Sequence, residues 1–198
     1  MGGGNAAYGE PEGTNDFMLL GGDSAQPKVG LLGRYLTTAK IFKCPADRST
    51  TLLKDGRRYP RNRSCAMNAF IGTLAIVAGG GGPADIYPWV LRLQDVTTLQ
   101  RPEVLVWSDT HEDFQFSCNF NVVDGLITSS GIDELPTSRH SLAATISFTD
   151  GHVESHRWLE TVTRQPITGT QKSGITTGYN RDWLWLRTRM TRGKDDKW

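Results

Sequence analysis

The sequence predicts an α+β domain in which short helices flank an antiparallel β-sheet of hairpins. Three observations predict it. Residues 143–149 and 152–158 alternate apolar and polar side chains on either side of Asp150-Gly151, the pattern of a hairpin closed by a tight turn. Val104, Leu105, Val106 and Trp107 form a β-branched and aromatic run suited to a buried strand. Residues 182–190 carry Trp183, Leu184 and Leu186 as apolar anchors of a short terminal helix.

Taken in order, residues 1–28 are rich in Gly, Pro, Asn and Asp, show no periodicity and read as an extended lead-in. One folded domain then spans 29–190, and 191–198 is a charged tail. Val29, Leu31, Leu32, Tyr35 and Leu36 suit an amphipathic helix of about two turns. Residues 41–45 read as extended, because Pro45 biases the residue before it away from helix. The charged stretch 46–63 carries a turn signal at Asp55-Gly56. Residues 64–71 suit a strand, and the four glycines at 79–82, followed by Pro83, forbid regular structure. Residues 114–123 read as another strand, turning at Asp124-Gly125, and 162–180 as a polar loop. In the hairpin, a two-residue type I′ turn would set Thr149 opposite His152 and Phe148 opposite Val153. Ile146, Phe148 and Val153 would then share the buried face, with His152, Glu154 and His156 on the wet one.

Composition limits the partners. With 22 basic and 21 acidic residues the net charge is +1, which points away from nucleic acid and anionic lipid. No run approaches the roughly 18–20 apolar residues of a membrane span, and the opening residues lack a secretory signal. Membrane insertion by the chain as given is therefore not expected. The three cysteines, Cys44, Cys65 and Cys118, include no CxxC pair, which argues against a zinc knuckle. A Cys44–Cys65 disulfide and three unlinked thiols both remain open.

All four histidines lie between positions 111 and 156, among Asp109, Glu112, Asp113, Asp150 and Glu154. Imidazole and carboxylate suit a transition metal, so Asp109, His111, Asp113, Asp150 and His152 are candidate ligands. The competing reading is the solvated face of an edge hairpin. Calcium held by Asp109, Asp113 or Asp150 is the one cofactor left open, and it needs more oxygen ligands than the sequence identifies. The run from Ser108 to His111 resembles the first metal motif of calcineurin-like phosphoesterases, but that family's other blocks are missing. A metal-dependent hydrolase built on Asp109, His111, Asp150 and His152 is thus a minor alternative. Ser141 beside His140 has no nucleophile elbow, and the 79–82 glycines lack the residues of a phosphate loop. Six tryptophans, with Tyr87 and Trp89 near the Gly-rich loop, leave a glycan- or cargo-binding surface as a third possibility.

One signature is more specific. His140 is followed by nine residues and then Asp150-Gly151. This resembles the prepilin-type processing-associated domain with its H-X(9)-DG motif, abundant in planctomycetes and verrucomicrobia. Other pieces agree in order. Phe42-Lys43-Cys44-Pro45-Ala46-Asp47 is similar to the family's Cys-Pro-Ser/Ala-Asp element, and Arg63 to Asn68, including Met67, to its Arg-Ser-Tyr-x-Met-Asn strand. Residues 102–109 match a Pro-led strand ending in Asp, and Asp182-Trp183-Leu184 matches the Asp-x-x-Trp-Leu ending. The likeness spans about residues 15–190. It implies a pilin-like head domain of a type II secretion or type IV pilus-like system, with no catalytic role. Its partners would be other pilin-like subunits or secretion machinery, at the periplasmic face of the inner membrane or in the cell envelope. In the family an N-terminal apolar helix, cut by a prepilin peptidase, precedes the head. This sequence shows neither that helix nor its cleavage motif, and it carries Cys65 where an aromatic or small residue is usual. On this reading His140, Asp150, Gly151, His152, Cys44, Pro45, Asp47, Met67 and Asn68 are fold determinants.

Overall fold

The computed structural model describes residues 14, 32–71, 93–98, 103–115, 119–120, 122–123, 131–132, 134–172 and 174–190. The 1–28 lead-in apart from Thr14, the glycines at 79–82, Tyr87, Trp89, Cys118, Asp124-Gly125 and the 191–198 tail lie outside these. In chain order the elements are β1 (Thr50–Leu52), β2 (Arg58–Pro60), β3 (Cys65–Asn68), α1 (Leu93–Thr98), β4 (Leu105–Asp109), β5 (Asn119–Phe120) and β6 (Val122–Val123). There follow β7 (Gly131–Ile132), β8 (Ala143–Phe148), β9 (Val153–Arg157), β10 (Ile175–Thr176) and α2 (Arg181–Met190).

The fold is α+β, as predicted. The main sheet has strand order β5-β3-β4-β8-β9, with β4 at its centre. A β1–β2 hairpin and a three-stranded β10-β7-β6 sheet stand beside it. Every pairing is antiparallel except β3 with β5, which is parallel over Met67–Asn119 and Asn68–Phe120. A bulge between Leu105 and Trp107 lets Leu105 pair with Phe148 and Trp107 with the next residue, Ser147. Leu105 thereby turns into the core while Trp107 faces the other way.

One face of the sheet forms the core. Ala66, Leu105, Ala144, Ile146 and Phe148 pack there with Trp158, Trp183, Leu186 and Met190. Helix α2 supplies Trp183, Leu186 and Met190 at helical spacing, which is why its burial is one-sided while Leu184 stays exposed. Asn180 caps it, its Oδ1 accepting from Trp183 N at 2.8 Å. Asp182 accepts from the amides of Leu159 and Glu160, tying the helix start to the end of β9. Asn68 Nδ2 donates to Leu105 O and to Met190 O, both at 2.8 Å, fixing the helix end to β4.

Several expectations need correction. The helix expected over 29–36 is a single 3-10 turn at Gly33–Tyr35 within the described part. Residues 41–45 are not all extended: Ala39–Phe42 is a 3-10 turn, started by Thr38 Oγ1 accepting from Lys40 N. Proline restricts only the residue before it, and the turn ends ahead of Cys44. The polar stretch 46–63 holds the β1–β2 hairpin around Gly56, whose φ of +79° suits the predicted turn. Within 162–180, residues Ile175 and Thr176 pair with β7.

The β8–β9 hairpin exists, but its register differs by one residue. Gly151 N donates to Phe148 O and Phe148 N to His152 O, so the loop is Thr149-Asp150-Gly151. Only Gly151, at φ +93°, is left-handed, which is the three-residue loop rather than the two-residue type I′ turn. Ser147 therefore pairs with Val153 and Ile146 with Glu154. A shift of one residue exchanges the faces of a strand. Val153 is consequently 61% exposed. His152, Glu154 and His156 join the face of Ile146 and Phe148 instead of opposing it. His152 stacks on Phe148 at 4.3 Å and His156 on Trp185 at 3.6 Å.

Candidate functional site

The other sheet face carries the candidate site. The pairings Cys65–Asp109, Met67–Trp107 and Trp107–Ser147, continued by Ser147–Val153, place these side chains on that face. The 32–45 segment crosses it, with Phe42 packed on Trp107 at 5.9 Å. Between them lies a largely apolar groove of about 580 Å³, floored by Trp107 and Val153 and walled by Leu32, Ile41 and Phe42.

At one margin of this groove three segments bring Cys44, Asp109 and His140 together. Their donor atoms all lie within 4.8 Å of one another, and they form the one such trio of His, Cys, Asp or Glu among the described residues. His140 Nε2 is 3.1 Å from Asp109 Oδ2 and 3.4 Å from Cys44 Sγ. Local chemistry explains each placement. Asp109 ends β4, and Thr137 N donates to Asp109 O, which lays 134–137 beside the strand end and delivers Arg139 and His140. Ser141 and Leu142 then take left-handed φ values of 57° and 66°. Two such residues in succession, one of them leucine, cost about 1 kcal/mol or more each and persist only where the surroundings fix them. Cys44 is set by its own amide, which donates to Ser64 Oγ at 2.7 Å.

The electrostatics are those of a semi-buried ion network. Arg139 bridges Asp109 through Nη2 and Glu112 through Nη1, the latter at 2.8 Å. Burial pushes the Asp109 carboxyl above its ordinary value, and the facing Arg139 and His140 offset this only in part. For Arg139, burial is outweighed by Asp109 and Glu112, which hold the guanidinium firmly charged. Cys44 and Cys65 are both free thiols. Burial drives Cys65 up to about 12, and its Sγ meets Phe42 O at 3.3 Å.

The other candidate ligands are placed elsewhere and are used by the fold. His111 is fully buried; its Nδ1 accepts from Asp113 N at 3.1 Å and its Nε2 faces Gln165 O at 3.0 Å. Both ring nitrogens are therefore engaged by backbone. Burial lowers its pKa, so the neutral ring is the folded form. Asp113 accepts from Thr168 N, Thr168 Oγ1 and Gly169 N; burial raises its pKa, but these bonds outweigh that and leave it lowered. Asp150 and His152 sit exposed at the hairpin tip, bonded to each other at 2.6 Å. The Asp109, His111, Asp150 and His152 grouping of a metallohydrolase is thus not assembled.

Of the remaining motif residues, Asp47 Oδ1 turns the chain by accepting from Ser49 N, and Pro45 is exposed in the preceding turn. Met67 is half-buried opposite Trp107. Sequence reasoning placed Asp109 and His140 in one Asp/His-rich segment and Cys44 in a separate block, and did not join the three. It also passed over Arg139 and Ser64, which hold two of them in place. The available signal was that each stands in a different block of the ordered motif set.

No protein-family model matches the chain, and comparison with the curated proteins and with the solved structures gives no match either.

Proposed function

We propose that this chain is the head domain of a pilin-like secretion protein, with a structural or assembly role and no catalytic one. One observation carries the reading: the blocks that resemble the H-X(9)-DG family, scattered along the sequence, are spent on holding one fold together. His140 meets Asp109 and Cys44, Asn68 joins β4 to α2, and Asp182 joins α2 to the end of β9. Gly151 supplies the left-handed turn position of the β8–β9 loop. Residues used for such joints describe a scaffold. On this reading an apolar helix encoded ahead of Met1 anchors the protein and packs in a filament, with the head on the periplasmic side.

The test is to fractionate cells expressing the gene from its own locus and to determine the mature N-terminus by mass spectrometry. An envelope product with a processed, N-methylated start upstream of Met1 is expected. A cytosolic product beginning at Met1 or Gly2 overturns the reading.

The groove favours a second reading, a module that binds an apolar or aromatic segment of secreted cargo against Trp107 and Phe42. Tryptophan fluorescence during titration with cargo peptides separates the two, since a pure scaffold gives no saturable change.

A further inference from the structure

We propose that Cys44, Asp109 and His140 form a three-ligand site for a zinc-class divalent metal ion. The starting point is proton arithmetic at one atom. His140 Nε2 is approached by both Asp109 Oδ2 at 3.1 Å and Cys44 Sγ at 3.4 Å. If Nε2 carries its proton, it can point at only one of them. If it does not, a thiol can donate to it, but the carboxylate then faces a lone pair. A single divalent ion satisfies all three atoms together.

The geometry also separates this arrangement from a nucleophilic triad. In a triad the carboxylate holds one ring nitrogen and the nucleophile meets the other. Here both partners converge on the same nitrogen, as ligands of a common centre do. Bond lengths of about 2.0–2.3 Å to zinc imply ligand–ligand spacings of about 3.3–3.8 Å in a tetrahedron. The two distances at Nε2 lie close to that range, and all three donor atoms fall within 4.8 Å.

The donor chemistry selects the ion. Thiolate with imidazole and one carboxylate suits zinc or its spectroscopic substitute cobalt, whereas calcium and magnesium need six or more oxygen ligands. The charges balance as well. A thiolate and a carboxylate neutralise a divalent ion, while Arg139 is already answered by Glu112. The supporting shell is in place: Ser64 Oγ accepts from Cys44 N and hydrogen-bonds the Asp109 carboxylate, and Arg139 holds the other oxygen, Oδ1. All three ligands line the groove, so water or a donor group of a groove occupant would supply a fourth ligand. Cys44 and His140 are 96 positions apart, and the ion would lock the 32–45 segment to β4 and to the turn before β8. The inference is independent of the head-domain reading.

The experiment uses the full chain, stripped with chelator, kept reduced and checked for folding by circular dichroism. Cobalt(II) and then zinc are titrated. The expected result is one equivalent of cobalt with a near-ultraviolet thiolate-to-cobalt band and intense visible bands of a tetrahedral site, displaced by zinc. Cys44→Ser should abolish the thiolate band and weaken zinc binding at least about a hundredfold, since loss of an outer-shell partner alone costs 10–100-fold. Cys65→Ser should leave both unchanged. Peptide-resolved alkylation of the unmodified chain gives a second readout that needs no variant: zinc should protect Cys44 and leave Cys65 as it was. A folded chain with no thiolate band overturns the proposal, and rapid zinc-insensitive alkylation of Cys44 in such a chain would identify a reactive thiol instead. A band that survives in Cys44→Ser also overturns it.

Discussion

His140 Nε2 lies 3.1 Å from Asp109 Oδ2, so the histidine of the H-X(9)-DG block and the acid that ends the central strand form one contact across 31 positions of sequence. Their neighbours, Arg139 and Cys44, complete a network that faces a groove on one side and the folded domain on the other.

Asn68→Leu should destabilise the domain by about 2–4 kcal/mol. The side chain is fully buried and satisfies Leu105 O, Met190 O and Phe70 N, all of which the variant leaves without this partner. Urea denaturation followed by circular dichroism measures it. A change under about 0.5 kcal/mol would mean that water or a relaxed backbone takes over these bonds.

His111 should make the domain acid-sensitive. Burial lowers its folded-state pKa below the ordinary histidine value of 6.5, because desolvation disfavours the charged ring. For a lowered pKa the contribution to stability is complete above the unfolded value and is lost as pH falls towards the folded one. Stability should therefore drop between about pH 7 and pH 5, and His111→Gln should flatten that part of the curve. Equal slopes for the two proteins in urea melts across this window would refute the assignment.

The register of the β8–β9 hairpin gives a paired test. Phe148→Ala should cost about 3–5 kcal/mol, because the ring is buried in the core. Val153→Thr should stay within about 0.5 kcal/mol, because the side chain is largely exposed. A two-residue turn would bury both, and comparable losses for the two variants would restore that register.

Cys65 should resist alkylation in the folded chain. A thiol driven from 9.0 to about 12 holds about a thousandfold less thiolate at neutral pH. The greater nucleophilicity of a more basic thiolate recovers part of this, so labelling should be on the order of thirtyfold slower than in urea. Mass spectrometry of iodoacetamide-treated protein reads the ratio. A ratio near one would place the thiol in water.

The motif resemblance named Cys44, Asp109 and His140 in separate blocks without revealing that they meet. Asp109 was legible as the end of a strand and His140 as a signature residue of the same Asp/His-rich segment, yet nothing in the sequence joined either to Cys44, far earlier in the chain. The spread of Asp and His over 109–156 allowed either a metal cluster or a solvated hairpin face, whereas His111 and Asp113 are consumed by backbone hydrogen bonds. Acid and imidazole side chains serve both purposes equally well, and only their neighbours decide which.

By itself the sequence determined the local elements: the strand at Leu105–Asp109, the hairpin around Asp150-Gly151, the turn at Gly56 and the capped helix at Arg181–Met190. These follow from propensity, periodicity and turn chemistry, which act over a few residues. Tertiary structure alone decided the hairpin register, the faces of Val153 and His156, the parallel β3–β5 pair and the meeting of Cys44, Asp109 and His140. One residue more in a turn reverses a strand's faces. Which register wins depends on what the rest of the chain packs against it, here Trp185 over His156 and the 32–45 segment over Trp107.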